Sequence, residues 1–124
     1  MEKILIVGCK NGMDDVCVGC TRCIVAFNRR AGHFSRYGDG DASLLGIVSC
    51  GGCPGSAVVG KLVLWREWNA FLEEHPTRIH LAPCLKPCPY SETIIDKIRS
   101  KVQIEIVEGT HLYMSDTIFP SPAR

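Results

Sequence analysis

Apolar positions along the chain alternate between two rhythms. Residues 3–7 (KILIV) and 43–49 (SLLGIVS) are short, nearly unbroken apolar runs, as expected of strands covered on both faces. Residues 77–82 (TRIHLA) and 102–107 (VQIEIV) read as two more strands. Between them the period changes to that of a helix. Ile24, Phe27 and Ala31 share a face of residues 17–31, and Ile94, Ile95 and Ile98 share one of residues 90–101. In the longest predicted helix, residues 56–74, Val58, Leu62, Trp65 and Leu72 form a stripe, with Val59 and Val63 beside it. Punctuation agrees. Asp14 and Asp15 suit a helix start, Arg29, Arg30 and Gly32 a helix end, and Pro54 a first helical turn, while Pro76 follows the long helix. The GDGD stretch, 38–41, reads as a loop, as does the tail after His111 that ends in FPSPAR.

The predicted order is β-α-β-α-β-α-β, which demands a parallel sheet with right-handed crossovers. Residues 1–124 therefore read as one three-layer α/β domain with four parallel strands and no internal repeat or linker. By analogy with Rossmann-like and flavodoxin-like folds, the strand order is 2-1-3-4. In such a sheet every strand ends on the same edge. Cys9 follows the first strand, Cys50 and Cys53 the second, Cys84 and Cys88 the third, and His111 the fourth. Six potential ligands thus converge where open α/β sheets bind their ligands.

Composition narrows the chemistry. A 124-residue chain with 46% hydrophobic residues can bury a core without staples. Its net charge of +1, with Lys and Arg scattered, argues against nucleic-acid binding. No apolar stretch approaches the roughly 18 residues of a membrane span, and MEKILIVGC lacks the features of a secretion signal. The expected compartment is the cytoplasm. Eight cysteines are then the anomaly, because a reducing compartment disfavours a disulfide framework. Metal ligation or thiol chemistry is the better reading.

Cys17, Cys20 and Cys23 stand three apart, which on a helix would put them on one face. In a loop, C-x2-C-x2-C is instead the spacing of iron–sulfur ligation, and Cys84-x3-Cys88-Pro89 supplies the usual ending far away in sequence. Thiolates select zinc, copper(I) or iron–sulfur clusters over magnesium and calcium. In CGGCPG, Gly51 and Gly52 can take positive φ and let the backbone curl so that Cys50 and Cys53 face one point. Cys53 is expected at a helix start, where the dipole stabilises a thiolate. These properties suit a metal and also a redox dithiol of the C-x-x-C kind, against which stand the three other thiol clusters and the lack of a tryptophan before Cys50. A phosphatase-type C-x5-R loop starting at Cys50 is a weaker reading still, since it would require arginine at position 56, which is Ser56.

CGGCPG after an apolar strand, the run CTRCIVAFNRRAGHFSRYGDGDASLLGIVSCGGCPG, APCLKPCPY and IVEGTH together resemble the CGGC-domain family. That resemblance covers nearly the whole chain. It implies zinc binding from residue types and brings no reaction with it. It points to Cys9, Cys50, Cys53, Cys84, Cys88 and His111, and less directly to Cys17, Cys20 and Cys23.

The other histidines have structural readings: His33 as a capping or packing residue, His75 at a helix end, His80 as a satisfied core residue. Met13 and Met114 read as packing, Trp65 and Trp68 as core or interface. The expectation is a metal site built on Cys50, Cys53, Cys84 and Cys88, with Cys9 and His111 close by. Cys17, Cys20 and Cys23 complete it or hold their own ion. Zinc is favoured over an iron–sulfur cluster. The alternatives are a thiol–disulfide or electron-transfer protein using Cys50 and Cys53, and a metal carrier. No general base, phosphate loop or substrate pocket is evident, so no enzyme activity is assigned. The protein partner is undetermined.

Overall fold

The computed structural model describes residues 1–15, 17 and 20–111. Its sheet has four strands, all parallel: β1 (Glu2–Gly8), β2 (Ala42–Ser49), β3 (Arg78–Leu81) and β4 (Glu105–Glu108), in the order β2-β1-β3-β4. Among the described residues four α-helices join them: α1 (Lys10–Asp15), α2 (Thr21–Arg29), α3 (Val58–Asn69) and α4 (Ser91–Arg99). The expected three-layer α/β architecture and its strand order are both present.

Central β1 shows why the layers form. Ile4 to Val7 are all buried, and they alternate between the faces. Leu5 and Val7 meet Val58 of α3 and Ile94, Ile95 and Ile98 of α4. Ile4 and Ile6 meet Ala26 and Phe27 of α2, with Phe34 and Tyr37 from a 3-10 turn, Gly32–Tyr37. β2 contains an irregularity that governs its own faces. Ile4 pairs with Leu44 but Leu5 pairs with Gly46, so Leu45 is an extra residue, a β-bulge. Before it, Ala42 and Leu44 face the α2 side; after it, Ile47 takes that side and Val48 the other. The alternation has changed parity.

His80 lies at the centre of the α2 face, 0% exposed, as the core reading expected. A carbonyl can only accept, so His80 Nδ1–H donates to Gly109 O at 2.7 Å. Nε2 therefore carries the lone pair and accepts the Tyr37 hydroxyl at 2.6 Å. This clamp holds the end of β4 against β3. At the opposite, amino-terminal edge, Arg78 bridges Glu2 and Glu105, and Lys3 pairs with Glu74.

Several local expectations need correction. A separate helix, α1, occupies the stretch after β1, and Asp14 and Asp15 end it instead of starting the next. The predicted helix over 17–31 is only α2, because Cys20 adopts a left-handed conformation (φ 61°) that no helix can run through. That helix ends at Arg29, capped by the left-handed Arg30, ahead of Gly32. The long helix begins at Val58, well after Pro54, and stops at Asn69 before a short 3-10 turn, Ala70–Leu72. Leu72 is 56% exposed, off the buried stripe, and Val63 is also exposed. His75 therefore follows an irregular segment and does not cap a helix. Met114 and the FPSPAR tail lie outside the described residues.

Candidate functional site

Both stretches that carry Cys84 and Cys9 leave the sheet at its carboxyl edge. Cys84 sits in a 3-10 turn, Pro83–Leu85, just past β3, and Cys9 lies between β1 and α1. The Cys9 backbone N–H donates to Cys84 Sγ at 3.2 Å. Two glycines make room for this approach. A Cβ on Gly12 would stand 2.7 Å from Cys84 Cβ, and one on Gly8 would stand 3.2 Å from its sulfur.

Cys17, Cys20 and Cys23 reach the same place from the α2 side. Cys17 follows α1, and its N–H donates to Gly12 O at 2.9 Å. Cys20 is the left-handed residue before α2, and Cys23 lies buried in the first turn. The three thiols are thus not one helical face, as a continuous helix would have made them. With Cys84, Met13, Arg22 and His111 they border a pocket of about 10 Å³. That is close to the volume one water-sized sphere occupies. Cys23 Sγ and the wholly buried Thr110 hydroxyl share a hydrogen bond at 3.2 Å.

The CGGC loop stands elsewhere. Cys50 is 2% exposed and packs into the α3/α4 core, with Cys9 and Cys88 alongside. Cys53 is exposed. Gly51 and Gly52 take φ of 82° and 107°, the left-handed region their flexibility allowed. A side chain on Gly51 would run into Ala57. Cys53 is five positions ahead of α3, so the helix-start environment expected for it is absent. The Tyr90 N–H donates to Cys88 Sγ at 3.4 Å. All eight cysteines are free thiols.

Electrostatics separate the groups further. Burial is the main cause that pushes the Cys84 thiol up to about 11; the Cys9 N–H opposes this, while the neighbouring thiols Cys17, Cys9 and Cys23 add to it. Burial also raises Cys23, partly offset by Thr110, and Cys20, where Cys17 and Asp14 contribute as well.

A family model, the CGGC domain, matches residues 3–111. The chain belongs to the CGGC-domain family. A relative of this CGGC protein, an uncharacterized protein of Methanocaldococcus jannaschii, is 33% identical over 117 residues, covering 88% of this chain and 86% of its own. No solved structure matches it.

Apart from the exposed Cys53, the cysteines and His111 read from the sequence fall into two groups. Cys17, Cys20, Cys23, Cys84 and His111 border one pocket, whereas Cys50 lies in the opposite core with the side chains of Cys9 and Cys88 beside it; only the Cys9 backbone N–H reaches across, to Cys84. Among the described residues no three His, Cys, Asp or Glu side chains stand as a closed ion-holding group. Sequence reasoning missed Gly8, Gly12 and Thr110. The glycines carried a signal in their position beside Cys9, whereas Thr110 had only its adjacency to His111.

Proposed function

We propose that this CGGC protein is a thiolate metal-binding domain whose ligands are Cys17, Cys20, Cys23 and Cys84, with His111 on the same pocket and the Cys9 backbone N–H holding Cys84. One observation carries the reading: thiols from two distant segments border a single small pocket at the ligand-binding edge of a parallel sheet. Soft donors in that number fit zinc or an iron–sulfur cluster, not a hard cation. Zinc is the better choice. Four thiolates satisfy it at about 2.3 Å in a simple closed site. Bound zinc would supply a cross-link without redox chemistry. The chain's own groups prepare for it: the Cys9 N–H and the Thr110 hydroxyl orient Cys84 and Cys23. Free thiols in this number also favour a reducing, cytoplasmic setting.

Metal analysis of anaerobically purified protein tests this. About one zinc per chain is expected on a four-thiolate site, lost in Cys23→Ser/Cys84→Ser and retained in Cys50→Ser/Cys53→Ser. Metal-free wild-type protein overturns the reading. Brown protein with iron and labile sulfide would replace zinc by a cluster on the same ligands. A second reading rests on the contrast between exposed Cys53 and buried Cys50, the asymmetry of an attacking and a resolving thiol. It predicts that disulfide exchange survives Cys84→Ser/Cys88→Ser and disappears with Cys53→Ser.

A further inference from the structure

Helix α3 is apolar on two sides. Val58, Leu62 and Trp65 face the core. Leu64, Trp68, Phe71 and Leu72, at helical spacing through the 3-10 turn, face outward with 53%, 71%, 80% and 56% exposure. A helix apolar all round is one that is buried all round. The two rings alone leave on the order of 300 Å² in water. With Val63 and the two leucines the patch approaches the upper range that monomers leave open, about 600 Å².

We infer that this stripe is a homodimer interface in which α3 of one copy packs antiparallel against α3 of a second. Three features favour a second copy over another occupant. The stripe is self-complementary: about a two-fold axis near Trp68, that ring meets its own equivalent, and Leu64 meets Phe71 and Leu72. The flanking charges invert along the helix, with Lys61 at its start and Glu73 just past its end, so an antiparallel pair sets opposite charges together. The apolar area also comes near the roughly 800 Å² per partner of a stable interface once a polar rim is added. Beside the stripe, Leu64, Trp65 and Trp68 wall a groove of about 490 Å³ that runs over Ile47 and Val48 to Met13. Met13 and Ile47 also line the thiol pocket, so the interface would border that pocket without supplying its ligands. The inference does not rest on the metal reading.

Sedimentation velocity on the full-length protein, with reductant present to prevent intermolecular disulfides, tests it. Dimers are expected in the micromolar range, with a melting temperature that rises with concentration. Trp68→Glu/Phe71→Glu should weaken association about 100-fold or more, since buried aromatics dominate such interfaces. Its circular dichroism should match that of the wild-type monomer. Leu64→Glu, on the same stripe, provides an independent disruption, and Val25→Glu on exposed α2 should leave the dimer intact. Wild-type protein that is monomeric at several hundred micromolar overturns the inference and assigns the face to a different partner. A dimer that persists in both α3 variants overturns it as well.

Discussion

Cys20 and His80 each hold an arrangement the chain would not adopt without cause. A left-handed non-glycine residue costs about 1–2 kcal/mol, and Cys20 takes that conformation beside the thiol pocket. Cys20→Gly should therefore leave the metal-free protein as stable or more stable while lowering zinc content, measured by thermal melting and metal analysis. A loss of stability together with retained zinc would show that the strain serves the fold alone. His80 is lowered from 6.5 to about 4, chiefly by burial; the bond to Gly109 opposes the shift, and Arg36, His33 and Arg78 add to it. Between those values the unfolded chain binds a proton at this ring and the folded chain does not. Stability is thus complete above about pH 6.5 and falls as the pH approaches 4, by up to about 3 kcal/mol. Urea titrations across that range should show the decline. Tyr37→Phe should cost about 1–3 kcal/mol by leaving Nε2 buried without a donor.

Among the elements, strands were legible where burial is two-sided, because continuous apolar runs leave few alternatives. Helix α1 was not, since KNGMDD has no apolar period and its register comes from the turn that carries Cys9 to Gly12. The long helix was legible as a helix but not as to its faces. Its apolar residues cover both sides, and only the fold decides that Leu72 faces water. The Leu45 bulge was hidden for a similar reason: SLLGIVS is apolar throughout and shows no alternation that an inserted residue could interrupt. The candidate site was legible as an edge, because parallel strands all end on one edge and Cys9, Cys50 and Cys84 each follow a strand. Its partition was not, because that depends on one left-handed cysteine and one bulge.

At the scale of the molecule, the two ends of the sheet carry different chemistries. Charged pairs such as Arg78 with Glu2 and Glu105 close the amino-terminal edge, whereas thiols occupy the carboxyl edge. The thiols themselves are divided by the plane of the sheet, and the bulge at Leu45 has a part in that division. With an uninterrupted β2, Cys50 would share parity with Ala42 and Leu44 and come out on the side of Cys23 and Cys84. The added residue sends it to the side of Val48 instead. The sheet thereby works as an insulating wall between two sulfur compartments, so that a disulfide formed by Cys50 need not consume a thiol that faces the Cys84 pocket. A short bifunctional thiol reagent should join Cys84 to the Cys17–Cys23 group and leave Cys50 unlinked to it. Abundant Cys50–Cys84 cross-links, read by peptide mass spectrometry, would mean that the wall leaks.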